Sequence, residues 1–385
     1  YFPEASVWYL DESNQVGVLL DGRSYLINPD VLLIATGAQE RPMPISGWEL
    51  PGVMYAGAGQ ILLKSSGLIP EGKVVLAGGG PLLLLLANQY LQAGVTIEAI
   101  LDTTPPLRAL SSMSYLFSAL GAKEYLSKGL SMLWKIKKAG VPYYKNVQGL
   151  RAEGTSRLDS VSFKVAKKGL RKITDVHIKA DSLLLHQGVI PNLRLPLAAE
   201  CELVWSDQQQ SWTVKTDQYG QSKKNTYVVG DCARIVGAMA ARYQGQLGGL
   251  HIAYSLGKVS ENEFQESQKY VRDLIGHHLC IRPFLDQFYK PANEYQVPDR
   301  DESIVCRCEE VTVGQIREAV ALGCVGPNQV KSFTRCGMGP CQGGQCANTV
   351  SRLISKELNK TMDEVGMLRV RPPLSPVTLG QLADL

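Results

Sequence analysis

Lys73-Val-Val-Leu-Ala-Gly-Gly-Gly-Pro81 opens a stretch that continues through Leu82–Gln92 and Val95–Leu101 to Asp102. An aliphatic run, a glycine turn, a leucine-rich segment of helical length, a stop at Gly94 and a second aliphatic run together spell a βαβ unit. Gly78-Gly79-Gly80-Pro81 is the turn. Gly78 and Gly80 fit the first two positions of G-x-G-x-x-G, where the backbone bends sharply and approaches a pyrophosphate. The third position holds Leu83, so the packing of helix on strand is altered there. Asp102 ends the second strand, 24 residues after Gly78, near the ~20 at which an acidic side chain reaches a ribose hydroxyl. The fold class is α/β. Gly78, Gly80, Pro81 and Asp102 are candidate cofactor-binding residues, with NAD(P) as the candidate ligand of this turn.

Upstream, Val16–Leu20 and Tyr25–Ile27 flank the turn Asp21-Gly22-Arg23, a hairpin pattern. Val31–Ile34 then reads as a buried strand, ending in Ala35-Thr36-Gly37-Ala38 and Gln39-Glu40-Arg41-Pro42. Downstream, Ser160–Val165, Asp175–Ile178 and Asp181–His186 read as strands before the loop Gly188-Val-Ile-Pro191-Asn192. Thr226–Val229 is a further strand, ending in Gly230-Asp231, and a helix rich in small residues follows from Gly237 to Leu256. These three junctions resemble those of flavoproteins with two dinucleotide-binding domains, the glutathione-reductase-like class. The resemblance implies that Ala35, Thr36 and Gly37 lie beside FAD, and that Asp231 of the Gly230-Asp231 pair bonds its ribitol. His186, alone at a strand end, reads as structural. No residue is singled out as catalytic.

Six of the nine cysteines fall between Ile304 and Cys346. Cys306 and Cys308 form C-x-C, and Cys341 and Cys346 form C-x4-C, the second pair in a loop with Gly337, Gly339, Gly343 and Gly344. Cysteines this dense usually hold a metal. C-x-C is tighter than the C-x2-4-C of structural zinc sites, whereas a 2Fe–2S cluster takes four thiolates, two per iron. Zinc and disulfides stand as the alternatives. Glycines let backbone N–H groups come close to an anionic cluster, which such donors stabilise. Thr312-x-x-Gln315 reads as a capping box, Gly323 as a helix stop, Pro327 as a helix start, and Val350, Leu353, Ile354 and Leu358 as a third helix. With 32 residues between Cys308 and Cys341, this segment resembles the bacterioferritin-associated-ferredoxin type of 2Fe–2S domain. That resemblance makes Cys306, Cys308, Cys341 and Cys346 the ligands. Cys336 is the rival, because C336-x4-C341 repeats the spacing of the second pair.

At 385 residues the chain has room for two or three domains, and 45% hydrophobic with 20% charged residues is ordinary globular chemistry. A net charge of +4 is too small to argue for nucleic acid or a membrane surface. The greasiest run, Val74–Ala87, is broken by glycines and too short to span a bilayer. A cysteine set suited to a cluster places the chain in a reducing cytoplasm.

The map is then a partial FAD-binding domain (1–71), an NAD(P)-binding-like domain (72–190), a second FAD-binding part (191–257), a helical linker (258–300), the 2Fe–2S domain (301–358) and a tail (359–385). A first βαβ unit for the ADP half of FAD is expected and is not seen ahead of Gly78. The whole resembles the FAD- and 2Fe–2S-bearing electron-transfer subunit of bacterial amine and imino-acid oxidases and dehydrogenases. Octopine and nopaline oxidases, proline and hydroxyproline dehydrogenases and hydrogen cyanide synthase are of this kind. The resemblance implies a partner flavoprotein subunit that oxidises the substrate. Two other readings remain at this level: an NAD(P)H-dependent flavin or iron–sulfur reductase, and a non-catalytic cluster-bearing scaffold.

Overall fold

The computed structural model describes residues 1–166 and 173–383. The chain forms two compact units, one made of 1–39, 190–279 and 322–385, the other of 40–189 and 280–321.

The second unit is built on the glycine-turn βαβ. Its five-stranded sheet has the order Val53–Tyr55, Ser182–His186, Val74–Gly78, Ile97–Asp102, Tyr143–Lys145, and every neighbouring pair is parallel. Parallel strands are covered on both faces, which explains their continuous aliphatic runs. All five residues of Val74–Gly78 and all five of Ser182–His186 are buried. Alternation along each strand divides them between two cores. Val75, Ala77, Leu183 and Leu185 pack with Leu150, Val161 and Phe163 of an antiparallel meander. Val74, Leu76 and Leu184 pack with Leu83, Leu86, Ala87 and Tyr90 of the Pro81–Gln92 helix, and with Ile136. Pro81 stands inside that helix, where its missing N–H costs nothing.

In the other unit, Leu32–Ile34 runs parallel to Thr226–Val228, with Ile34 opposite Val228. Both strands therefore deliver their following loops to the same sheet end. Around them stand the Ser6–Ile27 meander, the Leu203–Val214 hairpin and the helices Ala238–Ser255 and Glu261–Leu279. The core takes Ile34, Trp212, Val228 and Cys232 together with Met362 and Leu374 from the C-terminal residues, and Leu374 N–H donates to the Trp8 carbonyl at 2.6 Å. The Thr312 capping box forms with Gln315, and Thr361 forms another with Glu364. Among the described residues, no helix is long and apolar enough to cross a membrane.

Gly78 has φ +135°, and a Cβ placed there would stand 1.7 Å from the His186 carbonyl oxygen. Gly78→Ala must displace the neighbouring strand or strain the turn, so it should destabilise the chain by more than about 2 kcal/mol. Denaturant unfolding of the variant beside wild type measures this, and an unchanged midpoint would contradict the close approach.

Candidate cofactor site

In the first unit the candidate residues converge at the ends of two parallel strands. Ala35, Thr36 and Gly37 follow Leu32–Ile34, and Gly230 and Asp231 follow Thr226–Val228. Thr36 Oγ1 donates to the Asn192 carbonyl at 3.2 Å and lies 3.0 Å from Cys232 Sγ, while Asn192 N–H donates to the Gly37 carbonyl. The return loop ending in Asn192 is thus stitched to the Thr36 loop, as the motifs required. Burial raises the Cys232 thiol above its ordinary pKa, with the bond from Thr36 opposing it. One Asp231 oxygen, Oδ1, accepts the Val236 and Gly237 amides at 2.7 and 2.9 Å. The other carries no hydrogen bond among the described residues. Asp231 therefore holds the turn into the Ala238–Ser255 helix, and Oδ2 stays available. That helix begins on Gly237 with no side-chain cap, so its first amides are unfilled donors. Open space lies where a Cβ at Gly37 or Gly237 would stand. A free carboxylate oxygen, an uncapped helix start and two open glycines fit the ribitol and phosphate side of FAD.

The glycine turn of the second unit is different. Gly78, Gly79 and Gly80 are all buried by the chain itself. The nearest atoms to a Cβ at Gly79 would be Thr104 Oγ1 at 3.0 Å, Thr103 Oγ1 at 3.9 Å and Tyr289 Cδ1 at 3.9 Å. A Cβ at Gly80 would meet His186 Nε2 at 3.0 Å. Both Asp102 oxygens are engaged: Oδ1 accepts Thr104 N–H at 2.8 Å and Oδ2 accepts Tyr143 O–H at 2.9 Å. Burial, then the Asp102 charge, pushes the Tyr143 hydroxyl well above its usual range and Tyr289 up to about 12. His186 is 2% exposed and its Nδ1 lies 2.9 Å from Glu40 Oε2. Glu40 Oε1 also accepts Gly57 N–H at 2.7 Å. His186 is thus tied into the interior through Glu40. Glu40, Tyr143 and Tyr289 were not singled out from the sequence. Tyr289 carries no local signal, being more than two hundred residues away from the turn that it covers.

The thiols divide by unit. Cys306 is buried and Cys308 exposed in one, where Trp48 Nε1 donates to the Ile304 carbonyl and Arg307 stacks on the Trp48 ring. In the other, Cys336 and Cys346 are buried with their sulfurs 3.9 Å apart, and Cys341 is half-buried. Gln39 Nε2 donates to the Gly344 carbonyl at 2.5 Å, which ties the thiol loop to the segment two residues beyond Gly37. A shallow cleft adjoins this bond, lined by Gln39, Pro191, Arg194, Trp212, Gly344 and Asn348 among others. Several thiols in a glycine-rich loop are a donor set that fits an iron–sulfur cluster.

Comparison with known proteins agrees with this architecture. Residues 4–245 match the pyridine nucleotide-disulphide oxidoreductase model and 300–385 the sarcosine oxidase A3 domain. The opine oxidase A-subunit of Rhizobium meliloti is 42% identical over 394 residues, covering 100% of this chain and 73% of that protein. The chain belongs to the opine oxidase A-subunit family. It is an oxidoreductase subunit on a flavoprotein fold. Hydrogen cyanide synthase subunit HcnB of Pseudomonas protegens is 30% identical over 374 residues, covering 95% of this chain and 78% of the relative. The crystal structure of L-proline dehydrogenase from P. horikoshii has the same fold at 19% identity and a TM-score of 0.67, covering 98% of this chain and 64% of that one.

The covered turn yields a direct expectation for nucleotide binding. NADH titrated against the chain should give no saturable change in nicotinamide fluorescence. Tyr289→Ala should expose the turn and produce a measurable one. Tight NADH binding by wild type would show that Tyr289 does not guard the site.

Proposed function

We propose that this chain is the electron-transfer subunit of a heteromeric flavin-dependent complex that oxidises an amino or imino acid of the opine, proline or hydroxyproline type. A partner flavoprotein subunit takes the substrate. Ala35, Thr36, Gly37, Gly230 and Asp231 would hold FAD, and Cys306, Cys308, Cys341 and Cys346 would hold a 2Fe–2S cluster. Bound together, FAD supplies a two-electron centre and the cluster a one-electron centre, a combination suited to relay. The chain's own residues orient and enclose. Asp231 offers Oδ2 to a ribitol hydroxyl, the uncapped helix start offers amides, and the glycines of the thiol loop allow backbone donors near sulfur.

The observation that carries this reading is the Gln39–Gly344 hydrogen bond. It joins the flavin-type strand-end loop to the thiol loop, and relay needs its two centres close. The relatives' names support the substrate class: the opine oxidase A-subunit is similar over the whole chain, and HcnB over most of it. The reductase alternative is weakened by a glycine turn that its own chain covers and an Asp102 with both oxygens engaged. The cytoplasm suits both the cysteine set and this role.

A second ligand set has its own support. Cys336 lies 3.9 Å from Cys346 and both are buried, whereas Cys341 is half-buried. Cys336 in place of Cys341 is therefore the competing assignment.

Two experiments test the proposal. Cys341→Ser should abolish the paramagnetic signal of the reduced cluster while Cys336→Ser retains it; the reverse pattern would establish the Cys336 set. In the second, the chain is co-purified with its partner subunit, mixed with proline or an opine, and followed by freeze-quench spectroscopy. The cluster should be reduced during turnover, and the isolated chain should oxidise nothing. Turnover by the isolated chain, or a cluster that stays oxidised while electrons reach the acceptor, would remove the relay role.

A further inference from the structure

The connection between the Ile97–Asp102 and Tyr143–Lys145 strands is longer than a single crossover helix requires. It carries the helices Pro106–Ser112, Leu116–Ala119 and Lys123–Lys138. The Lys123–Lys138 helix does the ordinary work: Ile136 is buried, and Met132 packs on the same core as the Pro81–Gln92 helix. What faces water is unusual. Leu130, Leu133 and Trp134, at i, i+3 and i+4, form one exposed apolar stripe. Before it, Leu107, Leu110, Met113, Leu116, Phe117 and Leu120 are also exposed, Phe117 at 86%. Exposed apolar side chains gathered so densely mark an interaction surface.

Charge identifies the partner. Residues 106–138 hold six Lys and Arg against one acidic residue, Glu124, a net +5, whereas the whole chain carries +4. Lys123, Lys128, Lys135, Lys137 and Lys138 are exposed. Lys137 and Lys138, three and four residues after Trp134, and Lys123, two turns before Leu130, share the side of the stripe, whereas Lys128 and Lys135 stand well round the helix from it. Lys138 Nζ lies 5.1 Å from the Trp134 ring centre. Protein–protein interfaces are depleted in Lys and Ser, and this segment has five Lys and six Ser. Large apolar side chains on one face, with lysines beside them, are the chemistry of a helix that lies in an anionic lipid surface. Long lysine stems let the ammonium groups reach headgroups while the apolar face enters the acyl boundary.

We propose that residues 106–138 form a peripheral docking surface for an anionic lipid membrane. The apolar stripe of the Lys123–Lys138 helix and the exposed side chains of Leu107–Leu120 enter the interface, and Lys123, Lys137 and Lys138 bind its headgroups. This stands on surface chemistry alone and does not depend on the relay reading.

Vesicle flotation with the full chain, alone and in complex with its partner subunit, tests it. Vesicles of phosphatidylcholine containing phosphatidylglycerol should carry the chain up the gradient. Vesicles of phosphatidylcholine alone should not, and high salt should release it. Lys123→Gln/Lys137→Gln/Lys138→Gln should weaken partitioning by about a hundredfold, and Leu130→Ser/Trp134→Ser should lose it, each with an unchanged circular dichroism spectrum. As a check independent of these variants, a brominated lipid should quench wild-type tryptophan fluorescence. Absence of flotation at low salt overturns the proposal, as does equal binding by wild type and both variants. Loss of the partner subunit from the Leu130→Ser/Trp134→Ser variant, with no vesicle binding by wild type, would reassign the face to a protein interface.

Discussion

The contact between the Glu40 carboxylate and the His186 imidazole governs the sheet-bearing unit. Glu40 stands where the chain enters that unit and His186 near where it leaves, and their side chains meet at 2.9 Å in a nearly dry setting. The same carboxylate accepts Gly57 N–H at the start of the Ala56–Ser66 helix. Just beyond, Arg41 N–H donates to the Gly188 carbonyl, and Arg41 Nε to the Gln187 carbonyl. A buried carboxylate must find donors or become costly, so this set fixes the entry and exit of the chain together. Ser182–His186 is thereby seated between its two parallel neighbours. The glycine turn is built on that seat, because Gly79 N–H donates to the His186 carbonyl at 2.9 Å.

Once the seat is fixed, the turn has room for backbone and little else. Thr103, which accepts from Gln187 Nε2 at 2.6 Å, and Thr104 close one side, and Tyr289 stands over another. The fold keeps the geometry of a nucleotide-binding βαβ while filling the approach with its own side chains. A dinucleotide fold and dinucleotide binding are separable properties, and both oxygens of Asp102 are already engaged within the chain. The other unit contrasts with it. There Gly37 and Gly237 open on space and Asp231 keeps an oxygen in reserve.

The sequence made local, periodic features legible. The aliphatic runs gave three strands of the five-stranded parallel sheet to within two residues, while the short strands Val53–Tyr55 and Tyr143–Lys145 were not read from the sequence. Among the strands that were read, the second begins at Ile97 rather than Val95 because Val95 N–H is drawn back to the Tyr90 carbonyl in closing the helix. The Thr312 capping box, the helix start at Pro327 and the helix after Cys346 follow from side chains a few positions apart, and all are present. Contacts between distant segments were not legible. Tyr289 over Gly79 and Glu40 against His186 are set by tertiary packing and leave no periodic trace. The lysines of 106–138 were visible, but averaging over the chain concealed them: the remainder is close to neutral, so a modest total hides a local basic surface.

The thiol loop shows how such long-range packing bears on function. Its glycines are closely bounded, since a Cβ at Gly337 or Gly343 would stand 2.9 or 3.0 Å from Leu368 Cδ1. Leu368 is buried and belongs to the segment following the Thr361 capping box. The helix after Cys346 is anchored at Arg352, whose guanidinium donates to Gln210 at 2.9 Å and lies over Trp205, with burial holding its pKa down to about 10. The residues after Leu358 are therefore part of what shapes the loop, and the match to the sarcosine oxidase A3 domain runs on to residue 385 in the same way. Interiors packed this closely transmit small displacements. A change at Leu368 or Arg352, neither of which bears a thiol, therefore reaches Cys336, Cys341 and Cys346 through the backbone that holds them. It reaches the Gln39–Gly344 bond by the same route, so the spacing between the flavin-type loop and the thiols is set by the whole unit rather than by the cysteine motif alone.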